Sequence, residues 1–184
     1  MALPGLPAHA PNGLINPSLD YDFGPDFNYL DGSGVQTLVP PRIKHVINLK
    51  VPRVDKDGNE LAGVPSVLHQ VPLGTYTGWN ATAAGFFKGQ PCGGGLTGGY
   101  IPFTKSKAEH ESAGDPRPSL EERYGTQAGY ICAVKRVAKQ EVARRFLRSE
   151  DADRLIATAI AADNFLNVPP SPQRESVAEA LCRL

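Results

Sequence analysis

The sequence predicts an α+β chain in which short β segments and long Gly/Pro-rich loops are followed by C-terminal helices. Gly and Pro number 19 and 17. Most of them lie before Pro118, so the first two thirds of the chain must be rich in turns. After that point, apolar residues recur at the spacing of amphipathic helices. We divide the chain into residues 1–34, 35–118 and 119–184 and expect these segments to form one structural unit.

Composition narrows the function classes. The 184 residues are enough for one domain with a hydrophobic core. Basic and acidic residues number 19 each, and this balance argues against a nucleic-acid partner, which would require a basic surface. No stretch approaches the roughly 18 apolar residues of a membrane span, so no membrane partner is expected. The opening MALPGLPAHAPNG lacks the basic and apolar regions of a signal peptide, which favours a cytoplasmic location.

The first segment is expected to be irregular. It contains four turn-forming pairs, Asn16-Pro17, Gly24-Pro25, Asp31-Gly32 and Ser33-Gly34. Four aromatic residues alternate nearby and could anchor the segment on a larger surface. They are Tyr21, Phe23, Phe27 and Tyr29.

The second segment should begin with short strands. Apolar runs and alternation predict strands at 35–39, 45–51 and 64–71. Residues 73–118 show no regular pattern and are predicted to form a long ordered loop. Loops of that length in a compact domain are usually functional or pack on something else.

The stretch VDKDGNE has two interpretations, a calcium loop or a turn. Asp55, Asp57 and Asn59 would take positions 1, 3 and 5 of an EF-hand loop. However, Gly58 falls at position 4 instead of 6, and Ser66 stands where position 12 needs a bidentate Glu. An Asp-Gly pair between two apolar runs is a hairpin signal, and we favour the turn.

The last segment should fold into helices. Ser119 opens the sequence Ser-Leu-Glu-Glu, which has the pattern of a capping box. Apolar spacing then predicts a helix over roughly 127–148 and a second helix capped by Ser149. Pro172 should open a short final helix that ends near Arg183.

No serine has the sequence context of an α/β-hydrolase nucleophile, which needs Gly-x-Ser-x-Gly after an apolar strand. Ser112 in HESAG comes nearest, but His110 replaces the first glycine and the preceding TKSKAE is polar. Ser33 and Ser66 fail on the same grounds. CGGGLTG (92–98) matches Gly-x-Gly-x-x-Gly, yet no helix opens after it, so we interpret it as a structural loop.

Histidines and cysteines give no metal signature. No histidine lies two to four residues from another; the four are His9, His45, His69 and His110. His69 lies in a predicted strand, and a general-base role for it stays open as an alternative. Cys92, Cys132 and Cys182 form neither a disulfide framework nor a metal pair by their spacing. We expect buried or idle thiols and a reducing compartment.

Two further groups admit both a structural and a functional role. Asp115 could cap the following helix or pair with Arg117 or Arg123, and we favour this structural role. Trp79 and Tyr76 form an aromatic pair in a loop. Anchoring or docking is the usual role of such groups, and a substrate platform is the alternative.

Several long stretches carry a resemblance to a known family. They are Asp22-Phe23-Gly24-Pro25, VDKDGNELAG, VPLGTYTGWN, YIPF, GDPRPSLEERYG and EDADRLI. Over roughly residues 12–165 the chain resembles the C-terminal part of bacterial proteins described as α/β hydrolase domain-containing, which are considerably longer.

The resemblance implies a part of an α/β-hydrolase-like fold and the hydrolysis of esters. In the family, the serine elbow and the histidine-bearing segment lie upstream of the matched region, and this sequence has neither. We therefore assign no catalytic, cofactor-binding or metal-binding residue. We expect a chain that is inactive alone, with an N-terminal catalytic half as partner, a small-molecule ester as substrate of the complete enzyme, and residues 73–118 near the substrate entrance.

Two other functions stay open. One is a non-catalytic binding or interaction module that uses Tyr76, Trp79 and the glycine loop at 92–99. The other is an independent hydrolase that uses Ser112 or His69.

Overall fold

The structure is a computed structural model that describes residues 18–47, 52–61, 63–78, 80, 98–165 and 168–183. The chain divides into two compact units. Of the described residues, 18–47 belong to the smaller unit, and those from Pro52 onward belong to the larger one.

The smaller unit is built on two antiparallel strands. These are β1 (Ser18–Asp22) and β2 (Arg42–Ile47). Their register shifts once, between Asp20 and Tyr21, which is the signature of a β-bulge. All six residues of β2 are exposed.

The prediction of a strand at 35–39 is wrong. The amides of Thr37 and Leu38 both donate to the carbonyl oxygen of Phe23, so this stretch folds back locally and pairs with none of the described strands. The peptide bond before Pro40 is cis, a geometry that belongs to turns.

The other expectations for the smaller unit are partly confirmed. The described part of 45–51 lies in β2, and residues 48–51 fall outside the described part. β1 occupies a segment that was expected to be irregular. No strand was predicted there, because an alternation over five residues is too short to stand out in the sequence. The aromatic rings pack on one another, with centroids 4.7 Å apart for Phe23 and Phe27 and 5.0 Å for Phe27 and Tyr29.

Two strands and six helices lie in the described part of the larger unit. They are α1 (Val67–Gln70), β3 (Gly74–Thr77), β4 (Gly99–Pro102), α2 (Lys107–Ala113), α3 (Leu120–Tyr124), α4 (Gln127–Ala143), α5 (Ser149–Ala161) and α6 (Pro172–Arg183).

The predicted strand at 64–71 is instead the helical turn α1. Its apolar residues are Val64, Val67, Leu68 and Val71, which also satisfies the i, i+3, i+4, i+7 spacing of a helix. Ser66 caps the turn by accepting a hydrogen bond from the amide of His69. The apolar residues fit both a strand and a helix, and the Ser66 cap favours the helix.

The prediction of a long loop over 73–118 is wrong for its described parts, while residues 79 and 81–97 lie outside the described residues. β3 and β4 pair antiparallel, and α2 follows them. Ser106 and Glu109 form a full capping box at the start of α2, and Gly114, at φ 60°, ends it. The Ser-x-x-Glu pattern of the capping box is present in the sequence. The helix was not predicted, because α2 buries none of its residues and its sequence therefore has no apolar periodicity.

The helical predictions for the last segment are confirmed within a few residues. Ser119 and Glu122 form the expected capping box. The first long helix, α4, ends at Ala143, earlier than predicted. Ser149 begins α5, but the N-cap is Arg148 and no side chain caps this helix.

α4 is the centre of the hydrophobic core, and both α5 and α6 pack against it. The core cluster of buried apolar residues lies between Val67 and Phe165 and consists of Val67, Val71, Phe103, Leu120, Tyr124, Tyr130, Ala133, Val134, Val137, Ala138, Ala152, Ala159 and Phe165. Tyr124 donates its hydroxyl proton to the carbonyl oxygen of Pro72 at 2.8 Å. Burial raises the pKa of Tyr124 far above its ordinary value and that of Tyr130 to about 12.

The expectation of idle thiols fails for two of the three cysteines. Cys132 on α4 and Cys182 on α6 form a disulfide, with their Cα atoms 5.1 Å apart. A separation of 50 residues carries no spacing signature, and the pair becomes visible only once the two helices lie side by side. A disulfide is typical of oxidising compartments, so the argument for a reducing compartment does not hold. Cys92 lies outside the described residues.

VDKDGNE forms the expected turn. Val54 and Glu60 bridge antiparallel, and Gly58 has φ 83°, a conformation that glycine adopts readily. One carboxylate oxygen of Asp55 accepts the amides of Asp57 and Asn59 at 2.8 and 2.9 Å. The Asp55 carboxylate therefore stabilises the turn itself.

None of the helices in the described ranges is long and apolar enough to cross a membrane.

Candidate functional site

A cavity of about 400 Å³ opens between α1, the end of α4 and the start of α5. Its walls are mainly apolar and consist of Val64, Val67, Leu68, Phe146, Leu147 and Leu155, together with Pro65. Ser66 and Glu141 are the polar residues in its lining. Apolar walls with a few fixed polar groups are typical of small-molecule sites, and this volume falls within their range.

Glu141 is the buried polar group of this cavity, with 3 % of its surface exposed. Its Oε1 accepts hydrogen bonds from Gln70 Nε2 at 3.0 Å and from Arg144 Nη1 at 2.8 Å. Its Oε2 is buried and has no hydrogen-bond partner in the structure. A buried acceptor without a partner costs about 1–3 kcal/mol, and this oxygen exposes almost no surface.

The chain reversal after α4 gives the cavity its shape. The amides of Phe146 and Arg145 bond back to the carbonyl oxygens of Glu141 and Val142, as in a Schellman motif. Arg145 has φ 64° and is the only non-glycine residue with positive φ among the described residues. The reversal brings Phe146 and Leu147 into the cavity lining.

A serine and a histidine lie together beside the cavity. Ser66 Oγ and His69 Nδ1 are 2.9 Å apart, and the His69 ring contacts Tyr76, with centroids 5.6 Å apart. Tyr76 stacks in turn on Tyr100 at 5.2 Å, and burial raises the pKa of both phenols. The Ser66–His69 distance follows from the N-cap geometry of α1, which places these side chains three residues apart on one turn.

Ser112 does not lie in a catalytic arrangement. Its hydroxyl donates to the carbonyl oxygen of Glu109 in the same helix at 3.2 Å. His110 Nδ1 lies 2.9 Å from Glu122 Oε2, and Glu122 belongs to the capping box of α3. Burial alone would raise the pKa of Glu122, but hydrogen bonds from Ser119 and the nearby His110 hold it below its ordinary value.

The other candidates take structural positions. Ser33 donates to Asp31 within an exposed turn, and His45 lies 3.0 Å from Asp20 across the β1–β2 pair. His9, Trp79 and most of the glycine loop lie outside the described residues; Gly98 and Gly99 are its described glycines, and Gly99 begins β4.

The favoured structural role of Asp115 is confirmed. Its carboxylate forms a buried, bidentate ion pair with Arg117, at 2.9 and 2.7 Å. Burial alone would raise the pKa of Asp115, but the hydrogen bonds and charge of Arg117 overcome this effect and hold the pKa below 3.8. Arg117 also donates to Thr75 and to the carbonyl oxygens of Ile101 and Pro102.

This network extends to the VDKDGNE turn. The hydroxyl of Thr75 donates to the carbonyl oxygen of Asp57, and the Asp57 carboxylate pairs with Arg123. Both guanidinium groups contact the ring of Phe103, whose centroid lies 5.1 Å from Cζ of Arg117 and 4.0 Å from Cζ of Arg123. Turn, sheet and α3 are thus held together through one buried polar network.

Sequence reasoning missed Glu141. The signal was its position on α4, seven residues after Val134 and three after Ala138, which places a carboxylate on the apolar face. Among the described residues, no group of three or more His, Cys, Asp or Glu side chains could hold a metal ion.

The comparisons with known proteins identify the family. Comparison with curated proteins and with solved structures gave no match. A family model for the alpha/beta hydrolase domain matches residues 30–157. The match covers more than half of the chain and includes the walls of the cavity and the Asp115–Arg117 network. The chain therefore belongs to the alpha/beta hydrolase domain family.

Proposed function

We propose that this chain is the substrate-binding, C-terminal segment of an esterase-type α/β hydrolase and is inactive without a catalytic half that supplies the serine and histidine. The observation that carries the proposal is a ligand-sized cavity in a member of this family whose sequence contains no Gly-x-Ser-x-Gly. The partner would be an N-terminal catalytic half, and the substrate of the complete enzyme a small-molecule ester.

The strand arrangement supports this proposal. A hydrolase elbow lies on a parallel sheet whose strands read as apolar runs. The paired strands in the described ranges are antiparallel and two to a sheet. They suit a wall beside such a sheet better than the sheet itself.

Labelling with a fluorophosphonate tests the proposal. The purified, folded chain is incubated with the probe and its intact mass is measured, with a family member that contains the serine elbow treated in parallel. We expect an adduct on the control protein and none on this chain.

A single stoichiometric adduct would overturn the proposal, because an activated serine would then lie within these residues. Peptide mapping would first examine Ser66, which lies 2.9 Å from His69, and then Ser112. Substitution of His69 by Gln should abolish labelling at Ser66 if the pair acts as nucleophile and base.

A second candidate is a non-catalytic binding module. It is favoured by the Tyr76–Tyr100 stack, in which Tyr100 is 53 % exposed, because exposed aromatic pairs are typical of contact surfaces.

Sedimentation analysis separates the two functions. A binding module should be a monomer at all concentrations, whereas a segment that normally covers a catalytic half should self-associate through its exposed apolar residues.

A further inference from the structure

We infer that Leu155 sets the upper size limit for a neutral, chain-bearing ester bound in the cavity. Its side chain lines this cavity, called here the outer cavity, and also a second one beside it. The inference deepens the proposed function and rests on it, since the substrate proposed for the complete enzyme is a small-molecule ester. It adds a size class for that ester and a residue that determines it.

The second cavity, called here the inner cavity, has a volume of about 120 Å³. Three residues line both cavities: Val67, Leu68 and Leu155. From these shared residues the outer cavity extends to Val64 and Phe146, and the inner cavity extends to Leu73 and Ala162. The lining thus advances along α1 and along α5 in the same sense. The two cavities therefore lie in a row, with the shared side chains as the partition between them.

The inner cavity can extend a binding site but cannot be one by itself. Its volume is well below the roughly 300 Å³ at which small-molecule sites begin. Its walls include the buried residues Val71, Tyr130, Val134 and Ala159. Such a space is suited to the apolar end of a chain that is anchored elsewhere, because burial of each further methylene group favours binding.

The outer cavity determines which end of an ester faces the partition. Val64 and Phe146 are exposed and form its open side, and the exposed Ser66 also lines it. An ester group buried without hydrogen bonds is costly, so it stays at this open side, where water and a serine hydroxyl are available. The nucleophile of a catalytic half would also reach it there. The hydrocarbon chain then points towards Leu155.

The volume of the outer cavity fixes the limit. About 400 Å³ holds roughly a dozen non-hydrogen atoms, at about 30 Å³ for each water-sized group, which is the size of ethyl octanoate. Each methylene group that enters the cavity should tighten binding about fourfold. A longer chain meets Leu155 and turns back into water, so further methylene groups contribute no affinity. Removal of the Leu155 side chain would join the two cavities and add room for roughly four such groups.

Titrations with a homologous series of esters test the inference. The full chain is titrated with ethyl hexanoate, ethyl octanoate and ethyl decanoate, and chemical shifts are followed by two-dimensional NMR. In the wild type, ethyl octanoate should bind about tenfold tighter than ethyl hexanoate, and ethyl decanoate should bind within twofold of ethyl octanoate. In Leu155→Ala, ethyl decanoate should bind at least fivefold tighter than ethyl octanoate.

Two further variants control for loss of packing. Ile156 packs against the core on the same helix but lines neither cavity, so Ile156→Ala should keep the wild-type limit. Leu68 belongs to the partition and is 45 % exposed, so Leu68→Ala should fold and should raise the limit as Leu155→Ala does. It decides the test if Leu155→Ala does not fold.

Two results would overturn the inference. One is a wild type in which ethyl decanoate already binds at least fivefold tighter than ethyl octanoate. The other is an unchanged limit in folded Leu155→Ala.

The inference and the proposed function fail through different results. Saturable ester binding with no size limit at Leu155 would overturn only the inference. Fluorophosphonate labelling together with the expected size limit would overturn only the proposed lack of a nucleophile. Absence of ester binding in the folded wild type would overturn the proposed substrate-binding role and the inference with it.

Discussion

At the scale of single residues, the buried ion pair of Asp115 and Arg117 should dominate stability. Asp115→Ala leaves a buried guanidinium without its counter-ion, and breaking such a pair typically costs about 3–5 kcal/mol. We expect a loss of that size in the free energy of unfolding at pH 7, measured by urea denaturation. Asp151→Ala is the control: its pair with Arg154 is largely exposed, and such pairs contribute about 0–1 kcal/mol.

The same ion pair makes the free energy of unfolding depend on pH in the acid range. The folded pKa of Asp115 lies below its ordinary value of 3.8, so its contribution is fully present above that value and is lost as the pH falls through the folded pKa. The difference between wild type and Asp115→Ala should therefore shrink below pH 3.8. A difference that stays constant down to the acid transition would contradict the assignment.

Substitution of Arg145 by glycine should stabilise the folded protein. Its φ of 64° lies in the left-handed region, which costs an L-residue roughly 1–2 kcal/mol. Arg145→Gly should raise the free energy of unfolding by up to about 1 kcal/mol, because glycine adopts this conformation freely. Arg144→Gly is the control, since Arg144 has φ −77°; it should destabilise. A loss of stability in both variants would show that the Arg145 side chain matters more than its backbone.

The sequence predicted those single-residue features that have a local signature. The Ser119 cap and the VDKDGNE turn depend on neighbours within a few positions. Glu141 and the Thr75–Arg117 bond depend on residues up to 71 positions away, and no local pattern encodes such a distance.

At the scale of elements, the disulfide between α4 and α6 should be a major constraint. It closes a loop of about 50 residues, for which chain entropy predicts a stabilisation of about 4 kcal/mol. The double variant Cys132→Ser/Cys182→Ser should lower the free energy of unfolding by up to that amount. Non-reducing peptide mass spectrometry checks that the bond forms. A wild-type stability that does not respond to reductant would contradict the expectation.

Elements were predicted well where they are long and amphipathic. In α4 and α5, apolar residues recur at helical spacing over several turns, so the sequence predicts both helices. α1, β3 and β4 have four residues each, so their identity depends on capping and on strand partners that are distant in sequence. β3 and β4, for example, are joined through residues 78–98.

At the scale of the whole molecule, the larger unit should fold without the smaller one. All the buried apolar residues of the core cluster lie between Val67 and Phe165, inside the larger unit. A chain of residues 52–184 should therefore unfold cooperatively in urea, with a midpoint close to that of the full chain and the disulfide intact. A broad transition or a strongly lowered midpoint would show that residues 11–51 complete the core.

The family membership and the α+β class were both predictable from the sequence. The cavity was not, because its walls come from three elements, one of which had been predicted as a strand.

Arg117 uses all five of its side-chain N–H groups, on Asp115, Thr75 and the carbonyl oxygens of Ile101 and Pro102. Lysine has only three donors and no planar fork, so it cannot replace these bonds. A change at Thr75, Asp115 or Arg117 alone would leave a buried partner unsatisfied. Among other members of the family, these three positions should therefore be exchanged together or not at all, which makes them a marker for recognising this segment in distant sequences.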